Sequence, residues 1–458
     1  MRFRRYTHDY SRRHFLQQAA QGLFSTGVLM PTWEAIAASG DVSRAYPEEL
    51  LSIENYTKGR IKTGDEITAA NVEHVKSLLE PIRYEQIVKY GRRLKVAPTT
   101  TDVMRLSPWE YTEATLSNAG KARFDAAGNV VTAEGKPWIG GNPFPDPKSG
   151  IELFAAQTLS WGRHDAAFYA LKISDVNPGG DVAFRYAGGW TELSPVARVS
   201  LDPKPYWPMH QDKLRFQSVF FTLPQQFRGT SFLNIWDYDQ NTFPLLYGYV
   251  AEFRRIRQFP ADQRFEPLLP GTTLFLSDAW AAGDPLNTWG NYRIVGRGPF
   301  LAGLSGSWNA DHPNWEHNTH GGPRNQTFWD STVELIPEAI VVEAEPVRFP
   351  RAPVSKKRVW FDARNQVVVG MVTYDRRGEP YRSFDGAYSL YERGASKVMD
   401  GKHPYWSWCH LTCSDIQTGR VTRIEQVRSI EGHNTVANDQ SLYDKYLTQA
   451  ALIRLGAT

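Results

Sequence analysis

The chain has little cysteine: two in 458 residues, Cys409 and Cys413, both in the stretch WSWCHLTCSD. So few exclude a disulfide framework. Four positions apart on one extended strand they would stand ~13 Å from each other, too far for a bridge, so a disulfide between them requires a turn or loop there. A metal reading would recruit His403 and His410, but structural zinc sites show a second well-spaced pair, and none follows. A bridge or two free thiols therefore outrank a metal at this place.

Other absences exclude more. No Gly-x-Gly-x-x-Gly fingerprint or phosphate loop is present; GGDVAFRYAGG has the glycines without the spacing. Ser305 in GLSGS lacks the spaced glycines and the strand-to-helix turn of a nucleophile elbow. There is no HExxH. Asp237 and Asp239 alternate on a strand, which describes a solvated face better than an acid/base couple. No run of roughly 20 apolar residues that could span a membrane as a helix occurs. There is no internal repeat and no low-complexity tract.

Net charge is also missing from most of the chain. The formal charge is +3, from 52 basic and 49 acidic residues. Residues 1–37 hold five arginines against Asp9 and Glu34; setting these aside leaves 47 of each sign. The excess thus belongs to the start of the chain, and nucleic-acid binding has no electrostatic support.

That start reads MRFRRYTHDYSRRHFLQQAAQGLFSTGVLMPTWEAIAASG. Ser11-Arg12-Arg13-His14-Phe15-Leu16 resembles the core of a twin-arginine export signal. A modest apolar stretch, GLFSTGVLM, follows, and then Ala35-Ile36-Ala37, a small-x-small cleavage pattern. The expectation is a signal peptide over 1–37, cut near Ala37, a periplasmic address, and the twin-arginine translocase as the first partner. That route carries folded proteins, so a cofactor loaded in the cytoplasm has to be looked for.

Aromatic residues make up 13% of the chain, with 15 tryptophans. This suits deep packing or an apolar cavity in a β-rich protein. DKLRFQSVFFTL, TSFLNIWDYD, LLYGYVAEFRRIRQF, EAIVVEAEPVRF, KKRVWFDARNQVVVGMVTYD and EPYRSFDGAYSLYE alternate or run apolar, and short turns such as ARNQ and DRRGEP join them. They predict a meander of antiparallel strands from about 185 to 430. Apolar groups occur on both faces, so the sheet is covered on both or encloses something. TAANVEHVKSLL puts Val72, Val75, Leu78 and Leu79 on one helical face with Thr68 as N-cap. SPWEYTEATLSNAG has Ser107 as N-cap, Pro108 at the first helical position and Glu110 completing a capping box. KPWIGGNPFPDPKSG, about 136–150, is a Pro/Gly-rich connector. SLYDKYLTQAALIRLG closes the chain as a helix ending near Gly456.

Several of these segments, taken in order, carry a family resemblance. GDEITAANVEHVKSLLEP comes first, then the GGNPFPDP connector, then YVAEFRRIRQFPADQRFEPLLPG followed by WGNYRIVGR. The C-terminal strands VVEAEPVRFPRAPVSKKRVWFDARNQVVVGMVTYDRRGEPYRSF complete the set. Nearly the whole chain beyond the export segment resembles the family called domain of unknown function 1329, long described as outer-membrane lipoprotein-sorting-like. The resemblance implies a mainly β fold. Its core would be a large curved antiparallel sheet, an unclosed half-barrel of the lipoprotein-carrier type, with helices in the concave face and at the termini. It implies a mixed helical region over 38–150 packing on a β-rich 151–458 as one continuous domain. It also implies a hydrophobic or lipid-like ligand, with an inner-membrane efflux pump and an outer-membrane barrel protein as partners. The family has no agreed catalytic residues, and the twin-arginine start departs from it.

On this reading Trp236, Trp280, Trp289 and Trp360 are candidate lining or rim aromatics. Arg255 and Arg257, on one face of a strand, are candidates for a carboxylate or phosphate headgroup; ion pairing with Asp262 or Glu266 is the bland alternative. The function expected is a periplasmic binding or carrier protein with no cofactor. The other reading is a twin-arginine-exported metalloenzyme. Its divalent metal would sit in NADHPNWEHNTHGG on His312, Glu316, His317 and His320, with Asp311 beside them. Pro313 and Gly321-Gly322-Pro323 favour a polar loop over a helix there.

Overall fold

The computed structural model describes residues 40–457 apart from 251–253, 261–263, 268, 282, 305–311, 317–329 and 393–404. The segment read from sequence as an export signal, with Arg12, Arg13 and Ala37, lies outside the described residues.

The chain first lays down β1 (Glu66–Ile67) and β2 (Arg93–Ala97), then a small hairpin of β3 (Arg123–Phe124) and β4 (Val130–Val131). A meander follows: β5 (Ala166–Val176), β6 (Val182–Leu193), β7 (Lys213–Leu223), β8 (Ser231–Asp237), β9 (Leu245–Val250) and β10 (Arg255–Phe259). The two longest strands come next, β11 (Gly290–Leu304) and β12 (Asp330–Glu345). Then come β13 (Val354–Asp362), β14 (Val368–Asp375), β15 (Pro380–Leu390), β16 (Trp406–Asp415) and β17 (Arg420–Val427). The short β18 (Ser429–Ile430), β19 (His433–Asn434) and β20 (Val436–Ala437) end the series.

Sixteen of these strands form one sheet, in the order β1-β2-β12-β13-β14-β15-β16-β17-β5-β6-β7-β8-β9-β10, with β11 on β12 and β15 and β20 on β5. The sheet is not closed into a barrel: β1 and β10 are its outer edges. It is mixed rather than purely antiparallel, because β2 runs parallel to β12 and the end of β11 runs parallel to β15. That last contact, Gly303 to Ala387 and Leu304 to Tyr388, links β11 through β15 into a local five-strand ring. The expected single strand over 245–259 is a hairpin, Val250 facing Arg255.

Both faces are covered. The inner face carries the largest apolar cluster, with Trp138, Trp161, Trp190, Trp236, Trp289, Trp360, Trp406 and Trp408 all buried. The helix Gly150–Leu159 lies in that cluster. Leu153, Phe154, Ala155 and Leu159 join it, and Ala156, Gln157 and Thr158 are buried too. A helix apolar almost all round belongs inside rather than at a surface. Glu152 holds its start by accepting the Ser149 N–H at 3.2 Å. On the outer face Phe168, Phe216, Phe220 and Leu233 pack under the C-terminal helices through Leu442 and Leu452. Among the described residues no helix is long and apolar enough to cross a membrane.

Cys409 and Cys413 sit on the continuous strand β16 as buried free thiols, so the bridge is not made. A register shift at Ala387/Tyr388 leaves Cys409 bulged between His410 and Trp408. The bulge changes the alternation. Trp406, Trp408, Leu411 and Cys413 face the main core, and Cys409 faces Trp315, Tyr391 and Tyr405 instead.

Candidate functional site

Strands β6 to β10 pair antiparallel, with register shifts only at Ala187/Gly188 and Lys213/Arg215, and the register writes two rows across their inner face. One row is Trp190, Val219, Phe232, Gly248 and Arg257. The next is Glu192, Gln217, Asn234, Leu246 and Phe259. Residues directly opposite share a face, so each row is a line of neighbouring side chains. Between the rows and Pro260, Glu266, Pro267 and Leu276 lies a cavity of about 140 Å³. Trp190, Val219, Phe232, Leu246 and Phe259 supply its apolar wall, Gln217 and Asn234 its polar one, and Pro260, Pro267 and Leu276 close it from above.

Gly248 lies in the first row between Phe232 and Arg257 and leaves room for two wall aromatics. A Cβ there would stand 2.5 Å from Phe259 Cε2 and 3.0 Å from Phe232 Cδ1. The two rings meet over its bare backbone edge to face, centroids 6.1 Å apart.

Charged groups lie behind the polar row, outside the cavity lining. Burial pushes the Glu192 carboxyl up to about 7, against the pull of Arg215 and of hydrogen bonds from the Trp161 and Trp190 indoles. Arg215 donates to the Thr158 carbonyl and stacks over Trp236, 4.8 Å from the ring centre. Arg264 lies over the same ring at 5.9 Å and is held by Asp284 and the Gly283 carbonyl. Asp284 also accepts from Ser277 and from Trp289 Nε1, the latter at 2.8 Å.

The sequence candidates separate on this geometry. Arg255, Arg257 and Phe259 share the inner face of edge strand β10, so the two exposed arginines stand beside the cavity on the side where the sheet is open. Trp236 is one row further on, opposite Arg215, beneath the arginine pair rather than in the wall. Trp289 is buried with Lys357 Nζ 3.9 Å from its ring centre. Trp360 is stacked on Phe300 at 5.7 Å. Neither lines the cavity. Trp280 falls in the turn Leu276–Ala281, its side chain outside the described residues. Gln217 and Asn234 were missed. Their signal is a polar residue in phase with Val219 and Phe221, or with Phe232 and Trp236, on a face that is otherwise apolar.

Of the metal candidates, His317, His320 and Asp311 lie outside the described residues. His312 is exposed and its Nδ1 accepts the N–H groups of Asn314 and Glu316 at 3.2 and 3.3 Å. The Glu316 carboxylate accepts from Lys172 and from Asn314 Nδ2, the latter at 3.0 Å. Among the described residues no three His, Cys, Asp or Glu side chains converge as a metal site.

A family model described as "Protein of unknown function (DUF1329)" matches residues 66–453. The chain belongs to the DUF1329 family. No curated protein matches it. Among solved structures it is similar to a putative outer membrane lipoprotein-sorting protein domain from Vibrio parahaemolyticus. That pair shares 14% identity over 67% of this chain and 98% of that one, with TM-score 0.40. A DUF1329 family protein from Desulfovibrio piger matches at 12% identity over 66% and 97%, with TM-score 0.42. A LolA superfamily protein from Nitrosomonas europaea matches at 12% over 66% and 99%, with TM-score 0.35. These superpositions are partial; the DUF1329 assignment rests on the family match.

Proposed function

We propose that this DUF1329 protein is an exported, periplasmic binding or carrier protein for a hydrophobic or amphiphilic ligand, working with an envelope transport system. The observation that carries the proposal is the apolar cavity on the inner face of β6–β10, next to the open edge of the sheet. The twin-arginine start and the pump and barrel partners implied by the family resemblance are consistent with that role.

The size of the cavity sets what it can hold. Its 140 Å³ is close to the ~150 Å³ apolar cavity that takes one benzene, and below the ~300 Å³ where drug-sized sites begin. It admits a ring or the end of an acyl chain. At ~0.8 kcal/mol per buried methylene, four or five methylenes give roughly millimolar binding and about ten are needed for micromolar. A physiological ligand therefore runs on past Phe259 along the face that carries Arg257 and Arg255. Solvent extraction of freshly purified protein, followed by mass spectrometry, should release a stoichiometric lipid-like compound. Repeated extraction of none, together with no uptake of neutral fluorescent lipid probes, contradicts the proposal.

A further inference from the structure

We infer that the cavity selects an amphiphile whose buried polar group is uncharged, a hydroxyl, ester or amide, and that Asn234 with Gln217 is the recognition pair. The inference rests on the hydrophobic-ligand reading above and names its class.

Asn234 is 7% exposed and lines the cavity, yet its Oδ1 has no hydrogen-bond partner. A buried amide atom left without a partner costs more than a hydrogen bond returns, so native proteins rarely retain one without a use. Gln217 lies directly opposite on β7, on the same face and in the same wall. Two facing carboxamides offer acceptors and donors together, which serves a hydroxyl, an ester carbonyl or an amide equally.

The charges argue against an anion at this depth. Among the described residues no Lys or Arg lines the cavity, and Glu266 is the one charged residue that does. Arg215 and Arg264 lie behind the lining, outside the cavity wall, and their charges face Glu192 and Asp284. A carboxylate drawn in beside Asn234 would lose its water without gaining a cation.

Displacement of the neutral probe N-phenyl-1-naphthylamine at pH 8 tests this, with decanol, methyl decanoate and decanoate as competitors of matched chain length. The alcohol and the ester should displace the probe at least tenfold more tightly than the carboxylate. Asn234→Leu conserves volume and removes the orphan acceptor. It should weaken the alcohol and the ester about three- to tenfold, the range one hydrogen bond commands, while the probe binds as before or better. Gln217→Leu is the second variant should the first fail to fold. No probe binding at all removes the cavity reading itself. Binding that prefers the carboxylate, or that is indifferent to headgroup, or that both leucine variants leave unchanged, overturns the inference alone.

Discussion

Glu192 is a residue whose chemistry the fold alters strongly. Its carboxyl moves from 4.5 to about 7, with burial as the main cause. An acid whose folded value lies above its unfolded one stabilises the fold fully below the lower value and loses that contribution as pH rises through the upper one. A rise of that size corresponds to roughly 3 kcal/mol. Glu192→Gln should therefore match the wild type near pH 4.5 and gain on it steadily to pH 8. Urea unfolding at pH 4.5, 6 and 8 checks this; parallel stability curves for the two proteins contradict it. The sequence announces none of this, since a lone glutamate at the end of YAGGWTEL is as well suited to solvent. Nor does it say which tryptophans surround a cavity. Indole bulk predicts burial, and Trp236, Trp289 and Trp360 are all buried, but bulk is silent on which cluster each joins. The arginine placement was legible, because a two-residue period on a strand puts Arg255 and Arg257 on one side whatever the partner strand.

Strands were legible as elements because alternation and β-branched content are local properties. Elements decided by neighbours were not. Val72, Val75, Leu78 and Leu79 are buried as their spacing implies, yet the backbone forms two 3₁₀ turns, Val72–His74 and Lys76–Leu78, instead of one helix. Ser107 does not cap; its hydroxyl donates to the Leu106 carbonyl, and the helix starts at Trp109 after Pro108. Glutamates cap elsewhere: Glu152, just past the stretch read as a connector, accepts the Ser149 N–H, and Glu80 accepts the N–H groups of Ile82 and Arg83. The C-terminal helix is two, Leu442–Tyr446 and Gln449–Gly456, because Thr448 caps the second by accepting the Ala451 N–H. The unbridged cysteines of β16 have a direct consequence. Protein denatured in guanidinium without reductant should titrate two thiols per chain, while the folded protein reacts slowly because both are buried; no thiols after denaturation would mean a bridge. The β11–β15 contact likewise depends on one residue. A Cβ on Gly303 would lie 2.3 Å from the Gly386 carbonyl oxygen, so Gly303→Ala should cost about 1–3 kcal/mol. A change below about 0.5 kcal/mol in urea melts, the scatter of surface substitutions, would contradict the ring.

The molecule as a whole is one open sheet whose order no local pattern reveals. β2 and β12 lie more than 200 residues apart and pair in parallel, and β17 returns to β5 in the middle of the sheet. Composition made a two-faced aromatic sheet predictable; the stagger that lines up Trp190 to Arg257 and Glu192 to Phe259 is a long-range property and had to be seen. The central claim is that the face between those rows binds apolar matter. Leu246 lies in the cavity wall and is only partly buried, so a larger side chain there fills the cavity without breaking the core. The most direct measurement is titration of N-phenyl-1-naphthylamine against the wild type and Leu246→Trp, with thermal melts of both. The account predicts saturable binding by the wild type, at least a tenfold loss in the variant, and melting temperatures within a few degrees. Equal binding by the two proteins would contradict it.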